Sequence, residues 1–272
     1  RKQLKLMSRL KGYYYGGGIG YYDVNTDSHN NIMNNIPLGG SSNLTAYDLY
    51  TNNPVIMWSS QSAGAIARVN FDGTGYQIVI VDGLTHGVDI QLSNPINGVL
   101  HNIPQNTSTG KRIIYSTFND NEIILTDING NSPQTLYTAP GTVKEIAVDN
   151  VNNKVYWNEF SSASTSVSKL MRSDLNSFSP EVVMNISFTT MEEITILKDT
   201  NLVYWSVNTA WVYNNANGLE NPIINDAGLY AFCVDEQNGH IYTTGWDGGV
   251  GPFLRRYNLD GSNSCTMFFH FL

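Results

Sequence analysis

Aspartates return at one place in the chain's pattern. Asp48, Asp89, Asp149 and Asp235 each close a short apolar run such as Ala147-Val148-Asp149. Carboxylates converging from several strands could hold a divalent cation, and a cation held there could polarise a carbonyl for hydrolysis or elimination. The same repetition suits a structural use, each carboxylate accepting hydrogen bonds from the turn that follows it. His29, His86, His101, His240 and His270 are scattered, without the spacing of a helical zinc pair. No Gly-x-Ser-x-Gly elbow is present, and neither Cys233 nor Cys265 belongs to an activating motif with a histidine. Gly16-Gly17-Gly18-Ile19-Gly20 has the look of a phosphate loop, but Tyr21-Tyr22-Asp23-Val24 continues it as a strand. A phosphate site needs a helix N-terminus, so this run reads as a tight hairpin. Asp127-Ile128-Asn129-Gly130-Asn131 supplies half a calcium loop without the closing Glu, and also reads as a hairpin turn.

The elements that must position these residues are strands. Ile146-Ala147-Val148-Asp149, Asn152-Asn153 and Val155-Tyr156-Trp157 form the clearest copy of a motif that returns about every forty-five residues. The position of Trp157 is matched by Tyr15, Trp58, Tyr115, Trp205 and Thr243. Downstream of most copies stands a turn that favours positive φ: Asp72-Gly73, Asn129-Gly130, Asn217-Gly218 and Asp260-Gly261. Asn25-Thr26 and Asn176-Ser177 hold the same place in the first and fourth copies, and Leu197 replaces the aspartate in the fifth. A repeat of this length built from short strands implies an all-β fold, a six-bladed β-propeller of four-stranded antiparallel blades. The blades are expected near residues 1–42, 43–84, 85–139, 140–187, 188–226 and 227–272 of a single domain. One blade cannot cover both faces of its own sheet, so Tyr14, Tyr15, Trp58, Tyr156, Trp157, Tyr204 and Trp205 read as inter-blade core.

A net charge of −8 and a pI near 5.0 exclude the basic footprint that nucleic acid requires. No apolar run is long enough to span a membrane as a helix, and none of a dozen residues keeps a 3.6-residue period. Arg1 to Leu10 reads as a first strand or a lead-in. The chain opens on Arg1 and stops within the strand-like run Met267 to Leu272, which reads as a piece of a longer protein.

Asn43-Leu44-Thr45, Asn106-Thr107-Ser108 and Asn185-Ile186-Ser187 are glycosylation sequons. Asn43 and Asn185 are expected in connections between blades, and Asn106 in the long insertion from Gln91 to Lys111. Their presence implies an extracellular or cell-surface glycoprotein. Cys233 falls on the first strand of the last blade and Cys265 on its fourth, about 14 Å apart, so no disulfide joins them.

Ala147-Val148-Asp149, Asn153-Lys154-Val155-Tyr156-Trp157 and Leu170 to Leu175 resemble the YWTD repeat of the low-density-lipoprotein receptor family. Ile66 to Thr74 and Leu254 to Ser262 do so as well. The resemblance covers nearly the whole chain and implies a six-bladed propeller in an extracellular, non-catalytic binding protein. The Thr-Asp half of the name motif is missing: Ser59-Ser60, Asn158-Glu159 and Ser206-Val207 follow the tryptophans. The architecture therefore carries over and the receptors' ligand-binding residues do not.

The expected function is binding or assembly through a propeller face, with a protein or glycan partner or a second copy of the chain, and without a cofactor. Trp211, Trp246 and Tyr257 are the expected ligand contacts, and the loops at 91–111 and 161–168 the expected variable surfaces. The alternative is a propeller enzyme of the lactonase or lyase kind, with a metal on the axial aspartates.

Overall fold

A computed structural model describes residues 5–10, 18–23, 28–34, 41–47, 55–60, 63–81, 90–93, 111–117, 120–160, 168–186, 194–197, 202–206, 209–214, 220–225, 228–235, 238–247 and 251–267. Among them the strands form six antiparallel sheets, one three-stranded and five four-stranded, each drawn from consecutive strands. The first holds β1 (Lys5–Leu10), β2 (Gly18–Asp23) and β3 (Ser28–Met33). The second holds β4 (Ser41–Tyr47), β5 (Val55–Ser60), β6 (Ala65–Asn70) and β7 (Gln77–Val81). The third holds β8 (Ile90–Ser93), β9 (Arg112–Ser116), β10 (Glu122–Asp127) and β11 (Gln134–Thr138).

The fourth is β12 (Thr142–Asp149), β13 (Lys154–Phe160), β14 (Ser168–Asp174) and β15 (Glu181–Ile186). The fifth is β16 (Ile194–Leu197), β17 (Leu202–Ser206), β18 (Thr209–Asn214) and β19 (Glu220–Asn225). The sixth is β20 (Leu229–Asp235), β21 (His240–Asp247), β22 (Gly251–Asn258) and β23 (Cys265–Met267). Contacts gather the chain into two compact units, Arg1–Pro95 with His101–Ala139, and Pro140–Leu272 with Ile96–Leu100.

Inner and outer strands differ in burial. The second strands β5 and β9 are buried almost throughout, whereas the outer strand β7 is mostly exposed. A strand covered on both faces must be apolar at successive positions, and Val155-Tyr156-Trp157 and Ile56-Met57-Trp58 meet that need. Trp58 and Trp157 are fully buried, Trp157 stacking on Phe178 with ring centroids 5.9 Å apart. Within the first unit Ile56, Trp58 and Val69 pack against Ile32 and Met33 of the first sheet. Met57, Ile66 and Ile80 pack against Ile113, Tyr115 and Ile124 of the third. Within the second unit Ala147, Tyr156 and Leu170 meet Ile194 of the fifth sheet, and Ala210 and Ile224 meet Phe232, Ile241 and Tyr257 of the sixth.

Trp58, Tyr115, Trp157, Trp205 and Thr243 all lie on the second strand of their sheet. Their partners on the first strand are Leu44, Ile90, Ile146, Ile194 and Phe232. The one small residue of the row, Thr243, thus faces the one aromatic partner, and the pair conserves volume. The first repeat departs from expectation. Gly18, Ile19 and Gly20 belong to β2, so these three are strand and not turn; Tyr15, Gly16 and Gly17 lie outside the described residues. Glycine bars no strand, it only weakens one, and the ladder from Leu10↔Gly18 to Lys5↔Asp23 is unbroken. In the third sheet the first strand begins at Ile90, one residue after Asp89.

Candidate functional site

Two aspartates of the candidate metal set can be placed. The Asp149 carboxylate accepts from the Val151 and Asn152 amides, both at 3.0 Å, and from Asn152 Nδ2 at 2.7 Å. Asp235 accepts from the Asn238 amide at 3.2 Å and from Asn238 Nδ2 at 2.7 Å. Both carboxylates therefore cap the turn between first and second strands, through Asx turns closed by an asparagine. Asp48 and Asp89 lie outside the described residues, and among those described no three acidic, His or Cys side chains gather into a metal-sized cluster.

A second set of turns joins third strand to fourth. Asp72 Oδ1 accepts from the Thr74 hydroxyl at 2.6 Å and its amide at 2.9 Å, and Asp260 accepts from Ser262 at the same two distances. Asp127 accepts from the Asn129 and Asn131 amides, both at 2.8 Å, which commits its carboxylate to a hairpin. The Thr74 hydroxyl, then its amide, hold the Asp72 carboxyl below the usual range, and Ser262 does the same for Asp260. A carboxyl lowered by folding stabilises the fold above the ordinary Asp range and loses that contribution as pH falls through its folded value. NMR titration should give both side chains midpoints below the ordinary value of about 3.9. Midpoints at or above it would show that these turns do not close in solution.

Gly73, Gly130 and Gly261 in these turns have φ of 83°, 81° and 80°. Each also lies against the preceding sheet: a Cβ would come within 3.0 Å of the carbonyl oxygen of Ile32, Val79 or Ile223 respectively. Those three residues share a property. Each is skipped in the ladder between third and fourth strands, where Gly20↔Asn31 gives way to Ile19↔Met33, Ala67↔Ile78 to Ile66↔Ile80, and Trp211↔Pro222 to Ala210↔Ile224. A bulge leaves the skipped residue unpaired. Its carbonyl is where the next sheet's glycine seats.

The expected contact residues divide. Trp246 sits near the end of β21, in register with Pro252 across the hairpin, and is 52 % exposed. Its backbone is fixed: its amide donates to the Gly228 carbonyl at 2.8 Å. Gly228 (φ +85°) has no room for a Cβ beside the Trp246 carbonyl, and Gly245 has none beside Gly228 and the Phe253 ring. The Arg255 guanidinium lies over that ring at 4.1 Å. Tyr257 is not a loop contact. It lies on β22 opposite Ile241, 8 % exposed, and packs on Ala210 and Ile224 as core. Trp211 also belongs to a strand, β18, between Trp205 and Pro222 in the ladder.

Two of the three sequons are likewise on strands and not in connections. Asn43 lies within β4, and Asn185 lies on the outer strand β15, exposed and opposite Lys169. An outermost strand has one unpaired edge and an open face, which gives it the accessibility expected of a loop. Asn106 and the stretches 94–110 and 161–167 lie outside the described residues. Cys233, Tyr242, Arg256 and Cys265 form one row across the sixth sheet, leaving the cysteines three strand spacings apart, about 14 Å. Cys265 is a free, exposed thiol opposite Arg256, where Gln77 and Glu181 stand opposite Arg68 and Arg172 in the second and fourth sheets. Further apolar surface is exposed on outer strands at Ile78, Val81 and Val182.

Solved structures share this arrangement. A chain of the nidogen/laminin complex crystal structure superposes with a TM-score of 0.74 over 98 % of this chain and 93 % of that one, at 15 % identity. A putative TolB from Agrobacterium tumefaciens gives 0.68 over 94 % and 90 %, at 12 % identity. TolB from Acinetobacter baumannii gives 0.59 over 96 % and 67 %, at 10 % identity. No family model matches the sequence, and no curated protein matches it. The fold defined by the sheets and shared with these structures is that of a β-propeller.

Proposed function

We propose that this chain is a six-bladed propeller of the YWTD type and serves as an extracellular, non-catalytic protein-binding module. The observation that carries the reading is Trp246: a large aromatic, half exposed, on a backbone fixed by Gly228 and Gly245. An indole presented to solvent from a fixed backbone needs less ordering on binding, and tryptophan is enriched among residues that dominate interfaces. The likeness to a chain of a nidogen/laminin complex supports a protein as partner. Exposed Asn185, within its sequon, supports an extracellular setting. Glycan binding and self-assembly would use the same exposed aromatic and apolar surface. A hydrolytic or lyase reading through axial aspartates has no observation in its favour, since Asp149 and Asp235 are spent on turns.

The test is a photo-crosslinking amino acid placed at position 246 of the secreted protein, with exposed Val151 as control. A protein adduct is expected at 246 and not at 151. Against the partner so identified, Trp246→Ala should weaken binding about thirty-fold, the loss of an interface residue contributing ~2 kcal/mol. Equal adducts at both positions, or an unchanged affinity in the variant, would sink the proposal.

A further inference from the structure

The second sheet presents apolar side chains to solvent on its outer strand. Among the described residues six large hydrophobic side chains are exposed, and three of them, Tyr76, Ile78 and Val81, fall between positions 76 and 81. Val81 is 71 % exposed. β7, the last strand of its sheet among the described residues, reads Gln77-Ile78-Val79-Ile80-Val81, without a charge or a proline. The outer strands of the other four-stranded sheets carry features that discourage pairing. β15 has Glu181 and the Asn185 sequon, β19 has Glu220 and Pro222, β11 turns Thr135 and Thr138 to solvent, and β23 is three residues long. The bulge in β7 decides which side chains share a face. Ile78 pairs with Ala67, Ile80 with Ile66 and Val81 with Ala65, and Val79 is skipped. Ala65 and Ala67 lie on one face of β6 and Ile66 on the other. Ile78 and Val81 therefore share a face. Ile80 lies on the opposite one, and Val79 packs against the cluster that holds Ile80. From Ile78 to Val81 the strand reads exposed, core, core, exposed, the same in either direction.

We infer that β7 pairs with β7 of a second copy of this chain, antiparallel about a two-fold axis passing between Val79 and Ile80. In that register Ile78 of one copy lies opposite Val81 of the other, and Val79 opposite Ile80. Directly opposed residues of an antiparallel pair share a face. A two-fold pair therefore needs a face pattern that reads alike in both directions, and β7 has one. An unrelated strand would have to match that pattern; a second copy does so by construction. Charge agrees. The chain carries a net charge of −8, yet self-pairing along β7 sets no like charges in opposition. The two four-stranded sheets would join into a single sheet, and Ile78 and Val81 of both copies would form one apolar strip that covers what each copy exposes. β7 belongs to the second sheet and Trp246 to the sixth, so the pairing and the Trp246 contact stand or fall separately.

Sedimentation equilibrium of the full chain over micromolar concentrations is expected to show a reversible monomer–dimer equilibrium. Ile78→Lys and Val81→Lys should each weaken it roughly tenfold or more, because an edge lysine opposes strand addition and enters a two-fold pair twice. Both positions are exposed, so neither lysine is forced into the core. Val151→Lys, at an exposed turn of the fourth sheet, should leave the equilibrium unchanged. Cysteine pairing reads the register, in a Cys265→Ser background that removes the exposed thiol. A mixture of Ile78→Cys and Val81→Cys chains should oxidise to a covalent dimer more readily than either variant alone. A monomer at every concentration, a dimer indifferent to both lysines, or crosslinking within one variant equal to that of the mixture overturns the inference. So does growth past the dimer into an open assembly, since a two-fold pair closes on itself.

Discussion

Gly130→Ala should lower the melting temperature by roughly 5–15 °C, while Gly239→Ala, at a similar backbone conformation, lowers it far less. Gly130 and Gly239 have φ of 81° and 71°, so alanine at either bears the left-handed strain of about 1–2 kcal/mol. Only at Gly130 does the added methyl meet backbone, the Val79 carbonyl and then Ile80 Cγ1 at 2.9 Å; around Gly239 the space is open. Backbone held in a sheet cannot step aside as a side-chain tip can, and forced overpacking adds about 1–3 kcal/mol. At this chain length each kcal/mol moves the transition by about 2–4 °C. Paired thermal melts decide the matter. Equal shifts for the two variants would show that the turn glycines serve only their own conformation and not the seat on the next sheet.

Trp157→Ala should be the most damaging single truncation, with an expected loss of about 3–5 kcal/mol, measured by denaturant unfolding. The indole is fully buried, stacks on Phe178 and faces Ile146 and Met171 across the ladder. Its removal opens a cavity between strands covered on both faces, where collapse is resisted by hydrogen-bonded backbone. Trp246→Ala serves as the reference, since a half-exposed ring yields a loss well under half as large. Comparable losses at the two sites would mean that the second strands are not the packed centre of their sheets.

Much of this fold was legible because the repeat is written in residues with strong local demands. Val155-Tyr156-Trp157 states a doubly covered strand, and Asp72-Gly73 and Asp260-Gly261 state positive φ; the structure places each accordingly. What was not legible is relational. Thr243 reads as a degenerate copy until the ladder sets Phe232 opposite it. The seats of the turn glycines depend on bulges, and a bulge has no residue signature at Ile32, Val79 or Ile223. Aromatic composition draws attention to Tyr257, but its place on β22 sets it against Ala210 and Ile224 in the core. Trp246 was named for its residue type alone. The pair Gly228 and Gly245, which fixes its backbone, comes together only when β20 and β21 lie side by side.

The seat of each turn glycine always precedes it in the chain: Ile32 before Gly73, Val79 before Gly130, Ile223 before Gly261. A ribosome therefore delivers the receiving carbonyl, already bulged out of its strand, before the residue that fits it. In these three pairs the earlier sheet becomes a template for the later one, in the direction of synthesis. A circular permutant that reversed one such order, so that a glycine emerged before its carbonyl, would have the same final contacts and a slower route to them.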